Sequence, residues 1–237
     1  INIITKQPRH APAFSADVSG TSWGEWNTDI GLKFRAGKRA TVLTGINYFR
    51  YGNPVDHNHD LFTDVALASR ISLFQKWTAD RPHNRLFSLA ARYNYEDRWG
   101  GDREWDPSFR GTGQRYGESI YTSRWELIGN YQLPLREKMV LGFSFNDHRQ
   151  NSVYGLTPYI ARQSIAFGQL TWDRKVRNHD LLMGAAVRYT MYEDNTAATA
   201  LRPDKALLPG IFVQDEMKLG QRHKVLLGMR YDHHARH

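Results

Sequence analysis

"RLFSLAARYNYED", residues 85–97, alternates without a break. Phe87, Leu89, Ala91, Tyr93 and Tyr95 take one set of positions, and Ser88, Ala90, Arg92, Asn94 and Glu96 take the other. Successive side chains of a strand point to opposite faces, so a period of two separates an apolar face from a polar one. A helix would return its apolar residues about every 3.6 positions. The polar set carries Arg92 and Glu96 in mid-strand, which suits a wet surface better than the packed core of a sandwich.

The same period returns along the chain. "SIYTSRWELIGNYQLP" (119–134) sets Tyr121, Trp125, Leu127, Tyr131 and Leu133 against Thr122, Arg124, Glu126, Asn130 and Gln132. In "MVLGFSFNDHRQ" (139–150), Leu141, Phe143 and Phe145 oppose Ser144, Asn146 and His148. "LLMGAAVRYTMY" (181–192) and "HKVLLGMRYD" (223–232) alternate likewise, with Arg188 and Thr190 on the polar side of the first. Shorter or noisier runs lie at 13–20, 28–36, 40–50, 65–77, 161–172 and 208–219; 40–50 is loosely patterned, and Asp215 interrupts the last. Eleven strands are therefore expected.

Most runs reach about ten residues, longer than the usual strand of five or six and matching the ~9–11 that cross a bilayer. Rings recur near run ends, at Tyr48, Tyr51, Trp77, Tyr93, Tyr95, Trp172, Tyr189 and Tyr192. Such rings would form interfacial girdles. Short connections (37–39, 79–84, 134–138, 173–180 and 219–223) alternate with longer ones at 51–64, 97–118, 149–160 and 193–207. Only 22–27 is short on the long side. The expected fold is all-β, an antiparallel transmembrane β-barrel.

Composition excludes several classes. The chain carries 12 Tyr, 11 Phe and 7 Trp at a mean hydropathy of −0.61. A water-soluble domain this polar rarely holds so many large rings. Without cysteine there is neither a disulfide framework nor a thiolate metal site. The net charge of +8 is spread rather than clustered, and turn residues Lys38, Arg39, Arg136, Lys138, Arg174, Lys175 and Arg177 supply much of it. No nucleic-acid partner is expected. No apolar stretch approaches the ~20 residues of a transmembrane helix. No Walker loop, nucleophile elbow or HExxH motif occurs, so no catalytic residue is assigned and no enzyme is expected.

An odd strand number conflicts with the even count of single-chain bacterial barrels, and an open edge finds no partner in hydrocarbon. The expectation is a fragment, with completion by other chains as the alternative. "INIITKQP" (1–8) opens the chain as an apolar burst broken by Pro8, and "DHHARH" ends it where an eleventh strand would enter a loop.

"INIITK" followed by a proline resembles the junction of plug and barrel in TonB-dependent outer-membrane receptors, through Asn2, Ile3, Ile4 and Thr5. "GIFVQDEMKLG" (210–220) is similar to a mid-barrel strand of that family at Phe212, Val213, Gln214, Asp215 and Glu216. "YEDRWGGDREWDPSFRG" (95–111) and "ESIYTSRWELIGNYQLP" (118–134) look most like Bacteroidota-type receptors, including cobalamin and haem importers. The resemblance covers the whole chain but only half of a plugged barrel of about 22 strands. It implies that residues 1–10 end a plug domain and linker, and that 11–237 form the N-terminal half of the barrel.

What the resemblance implies is active import across the bacterial outer membrane, with no cofactor required. The cargo would be a scarce, bulky nutrient of the metal-chelate class: cobalamin, haem or ferric siderophore. Implied partners are the TonB–ExbB–ExbD complex acting through the missing N-terminal part, that chelate, a surface lipoprotein and lipopolysaccharide. A passive porin-like channel would share the alternation without the plug tail. A soluble β-sandwich binding module would bury the apolar faces instead.

Three groups are candidate sites. In the 97–118 loop, Trp99, Trp105, Phe109 and Tyr116 would stack on a macrocycle or aromatic chelate, with Asp102 among them. Arg98, Arg103, Arg110 and Arg115 would meet carboxylates or phosphates. The alternative is a loop that packs on itself and bridges lipopolysaccharide phosphates. "NPVDHNHD" (53–60) places His57 and His59 among Asp56 and Asp60, where histidines suit haem iron or a divalent metal and oxygens suit a structural calcium. A solvated polar loop is the competing reading. Arg70, Arg92, Arg124, Glu126 and Arg188 on the polar face would form ion pairs that hold the plug against the wall, with a translocation role secondary.

Overall fold

The computed structural model describes Pro8, residues 11–220 and residues 222–234. The plug-tail run at 1–6 and the last histidine, His237, lie outside the described residues. Eleven strands form among the described residues: β1 (Phe14–Gly20), β2 (Glu25–Ala36), β3 (Ala40–Tyr51), β4 (Leu67–Ala79), β5 (Phe87–Gly101), β6 (Gly117–Gln132), β7 (Lys138–Tyr154), β8 (Thr157–Val176), β9 (His179–Asp194), β10 (Asp204–Leu219) and β11 (His223–Asp232). They make one sheet in sequence order, and each neighbouring pair is antiparallel.

Residues directly opposite each other in an antiparallel pair share a face, so the register carries the alternation across the whole sheet. One row runs Ile30, Ile46, Leu73, Tyr93 and Trp125. Another runs Leu127, Phe145, Ala166, Tyr189 and Leu207. Phe14, Leu32, Phe34, Met183, Val187, Ile211, Val213, Leu227 and Met229 fall on the same face. The opposite face carries Asp29, Asn47, Arg70, Arg92, Asn94, Glu96, Arg124, Glu126, Asn146, Gln169, Arg188 and Arg230.

Among the described residues no second layer covers the apolar face. Among the described residues, the buried apolar side chains are Val42, Tyr51, Leu67, Trp105 and Val153. Ile211 is 62% exposed, Tyr231 63% and Met229 78%. Each such side chain is about 1.5–3 kcal/mol better off out of water, and a water-soluble domain of this length would hide most of them. That removes the soluble sandwich. The face suits hydrocarbon, where a sheet is tolerated because each interior strand hands its N–H and C=O groups to a neighbour.

Asp215 does break the alternation. It lies on the apolar face near the short-turn end, where its Oδ2 meets His179 Nδ1 at 2.6 Å.

The strands outrun their sequence-based bounds. β7 and β8 are 17 and 20 residues long, so 149–160 is a projecting hairpin rather than a loop. It turns at Gly155–Leu156, where Gly155 has φ +58°. The 173–180 connection shrinks similarly to a tight turn at Arg177 and Asn178. Beyond the membrane both faces of a hairpin are wet, so the period that marks a strand fades while the ladder continues.

Val187 and Ala186 are neighbours in β9 on opposite faces, and they give a direct test. Val187→Arg is expected to cost about 2–4 kcal/mol of stability in lipid, as for a guanidinium near the bilayer midplane. Ala186→Arg should cost under about 1 kcal/mol. Urea unfolding in lipid vesicles reads both values; the opposite ranking would reverse the faces.

Candidate functional site

The long-loop end of the sheet is organised by two segments, 52–66 between β3 and β4 and 102–116 between β5 and β6. They are tied together through their backbones. Thr63 N–H donates to Gly101 O and Arg103 N–H to Leu61 O, both at 2.8 Å, and Phe62 bridges Asp102. Arg103 reaches Asp56 at 3.8 Å, and the Asp56 side chain is only 1% exposed.

Short polar side chains hold the 52–66 turn. Asp56 accepts from the N–H groups of Asp60 and Leu61, each at 3.1 Å, and Asp60 accepts from Phe62 N–H at 2.8 Å. Asp64 accepts from His57 N–H at 2.8 Å and lies 2.9 Å from His57 Nδ1. These bonds stabilise left-handed backbone at His59 (φ +60°) and Leu61 (φ +71°). The carboxylates of Asp56 and Asp60 thus act as backbone acceptors, and the His57 ring packs edge-on to Trp23. Among the described residues no three His, Cys, Asp or Glu side chains converge as a cation cage.

In the 102–116 segment most of the candidate ligand residues are already engaged. Trp105 is 4% exposed, with its ring 4.8 Å from that of Trp99. A Cβ at Gly117 would stand 2.4 Å from Trp105 Nε1, so the glycine is what admits the indole. Gly101 has φ +143° and approaches Tyr116 O too closely for any side chain. Arg115 pairs with Asp102 at 3.1 Å and with Glu104, and lies over Phe109. Arg110 donates to Ser119 Oγ at 2.7 Å and Asn151 Oδ1 at 2.8 Å, with its guanidinium 4.6 Å from the Tyr121 ring centre.

Register shows which way these groups lie. Trp99, Gly117, Ser119, Tyr121 and Asn151 have the parity of Tyr93 and Phe145, the apolar face. Trp105 and Arg110 therefore pack over the outside of the wall rather than toward the polar side. Arg98 and Trp99 belong to β5, not to a loop. Arg98 has the polar parity, is exposed and has no partner among the described residues. With Tyr116, Glu118, Thr63 and Ala66 it lines a depression of about 340 Å³. The Tyr116 hydroxyl donates to Glu118 at 2.6 Å, which raises the phenol above its ordinary value.

The polar face holds a ladder of ion pairs within the wall itself. Arg70 lies 3.8 Å from Glu96, and Glu126 is shared by Arg92 and Arg124 at 3.6 Å each. Asn146 Nδ2 also donates to Glu126, at 3.3 Å. Arg188 has no ion-pair partner among the described residues and borders a recess of about 470 Å³ with Phe167 and Arg230. The four arginines exceed their two carboxylates, so this side suits acidic groups facing it.

Two clusters escape a reading of alternation alone. Asp147 is buried on the apolar parity between Arg149 and Arg162. Its only sequence signal is a carboxylate that follows Phe143 and Phe145 at the same parity. The Tyr159 and Tyr192 hydroxyls lie 2.8 Å apart, and Tyr192 donates to Asp194, which also organises Thr196 and Thr199 in the 195–203 loop. Tyr159 stands 33 positions before Tyr192 and meets it through the pairing of β8 with β9.

A single-layer antiparallel wall, apolar outside and polar inside, with tight turns at one end and interlocked loops at the other, defines the outer-membrane β-barrel class. A solved structure agrees: a chain of the FpvAI–pyocin S2 complex superposes with a TM-score of 0.66 at 12% sequence identity. The match covers 97% of this chain and 38% of that one, so this chain spans well under half of its length. The likeness is one of fold. No family model matches the sequence, and no curated protein matches it.

The loop carboxylates make the latch pH-sensitive. The backbone N–H of Glu104, then Arg115, hold Asp102 below the usual carboxylate range, and the hydroxyl and N–H of Ser108 do the same for Asp106. The N–H and then the ring of His57 lower Asp64. Depressed values mean that the latch is complete above the ordinary carboxylate pKa of about 4 and is lost as pH falls below it. Amide exchange should rise first in 52–66 and 102–116 on acidification, before the strands respond. Trp105→Ala should loosen 102–116 at neutral pH by about 3 kcal/mol of local opening free energy. Unchanged exchange in that variant would show that the indole does not hold the segment.

Proposed function

We propose that the chain forms part of the wall of a TonB-dependent outer-membrane receptor that imports a scarce, bulky metal chelate. Cobalamin, haem and ferric siderophores are the cargo class. The observation that carries this reading is the two-sided single sheet: its apolar face needs lipid, and its arginine-rich face needs wet or acidic contents. A plug domain with acidic groups would meet Arg70, Arg92, Arg124 and Arg188, and residues 1–10 would be its tail and linker. The remaining wall would come from sequence beyond this stretch.

Energy would reach such a plug through a TonB–ExbB–ExbD complex. Lipopolysaccharide would surround the outside, and a surface lipoprotein would be a partner at the loops. The solved neighbour belongs to a complex with pyocin S2. By analogy the interlocked 52–66 and 102–116 segments offer a rigid platform for a protein as well as for a nutrient. Chelate contact is assigned to Arg98 and Tyr116, which border the open depression, with Trp99 and Trp105 supporting it.

Growth of a deletion strain carrying the full-length gene, on cobalamin, haem or a ferric siderophore as sole source, tests the reading. Rescue by one of them, dependent on the inner-membrane energy complex, is the expected result. Arg98→Ala with Tyr116→Ala should lower uptake about tenfold, the scale of one or two lost polar contacts. Energy-independent passage of unrelated small solutes would identify a porin instead.

A further inference from the structure

Parity makes one side of the wall polar, yet at mid-height between β6 and β10 that side turns apolar around a single arginine. We propose that this recess, built on Arg188, binds an anionic amphiphile: an apolar, ring-sized body carrying one carboxylate. The proposal rests on the import reading above and narrows its cargo to chelates that bear a carboxylate on an apolar body.

One row across the sheet reads Ile128, Ser144, Phe167, Arg188 and Leu208, and Ile165 stands in the next row toward the long loops. All have the parity of Arg92 and Glu126, the polar face. Four apolar side chains thus break the pattern in one patch, and Ile128 is 58% exposed there. The row lies at the height of Val187, well inside the apolar band of the opposite face. Ile165, Phe167 and Leu208 line a recess of about 470 Å³, and a second of about 280 Å³ adjoins it through Ser144 and Phe167. Small-molecule sites are commonly about 300–1,000 Å³, mostly apolar, with a few placed polar groups.

The placed group here is an unspent cation. Arg188 is exposed and has no partner among the described residues. The carboxylates around it on this side are engaged elsewhere. Arg230 holds Asp232 through Nε at 2.7 Å and Nη2 at 2.8 Å. That pair sits over Gly210, where a Cβ would stand 2.1 Å from Asp232 Oδ1. Glu126 lies three strands away between Arg92 and Arg124. Asp204, two rows nearer the long loops, is likewise engaged. Toward the tight turns, Asp180 pairs with Lys175 and Glu216 with Lys224. The net charge of the recess is therefore that of Arg188.

A guanidinium at the rim of an apolar floor names the chemistry of its ligand. A carboxylate would take the planar fork of Arg188 through two N–H donors. Rings or branched chains would lie on Phe167 and Leu208, and the Ser144 hydroxyl would serve a second polar atom. A small anion would leave the floor uncovered, and a neutral apolar body would leave the guanidinium without an acceptor. An amphiphile uses both.

The test uses the full-length protein purified in detergent micelles, titrated calorimetrically with naphthoate and with its neutral counterpart naphthylmethanol. Naphthoate should bind at least about tenfold more tightly, and millimolar acetate should barely compete. Arg188→Gln should equalise the two ligands, and Phe167→Ser should weaken both. Arg174→Gln, on the opposite face near the tight turns, should keep the preference. The chelate that rescues growth should displace naphthoate. Absence of naphthoate binding by the unmodified protein, the result if a plug side chain fills the recess, would overturn the proposal. So would equal binding of acid and alcohol, effective competition by acetate, a rescuing chelate that leaves naphthoate bound, or an unchanged preference in an Arg188→Gln protein with native circular dichroism. The two readings separate: growth rescue without naphthoate binding removes only the recess, whereas energy-independent passage of unrelated solutes by a protein that still prefers naphthoate removes only the importer.

Discussion

Backbone hydrogen bonding is the constraint on which the rest depends. A sheet one layer thick has no core, so cohesion comes from the ladder between strands and from the match of each face to its surroundings. Each interior strand finds partners on both sides, from β2 through β10. The side chains then need only separate by parity: rings and aliphatics toward lipid, arginine, glutamate and amides toward the other side. Glu126 lies between Arg92 and Arg124 on that polar side, where one carboxylate offsets part of the charge of two guanidiniums.

Above the apolar band the economy of the wall changes. Strands β7 and β8 continue as a hairpin with water on both sides, and stability there comes from specific polar contacts. Asp147 organises two arginines on the outside, Asp56 and Asp64 hold a turn that contains left-handed residues, and Trp105 fills the space above Gly117. The loops are thereby built as fixed parts of the wall rather than as free arms, which suits a surface that recognises something by shape.

Much of the fold was legible because the decisive signal is local. Residues 85–97 alone show the period, the wet polar face and the length of a spanning strand. Strand number, the apolar face and the placing of Arg70, Arg92, Arg124 and Glu126 on the other face follow from parity repeated along the chain. The packing of the candidate loop is not legible in the sequence. Trp99, Trp105 and Arg110 look like ligand residues in a list of composition, yet two glycines let the segment close against the outside of β6. Alternation places a loop at 149–160, where the ladder continues as a hairpin, because the period weakens where neither face meets lipid.

Sequence by itself determined which residues share a face, since side-chain direction in a strand depends only on odd or even position. It also determined that one of those faces needs an apolar surrounding. Only the tertiary structure decided which polar groups meet across the sheet: Arg162 and Ser164 reach Asp147 from the neighbouring strand, Arg110 reaches Asn151, and Tyr159 reaches Tyr192. Their meeting depends on register, and register is a relation between strands that no single strand contains.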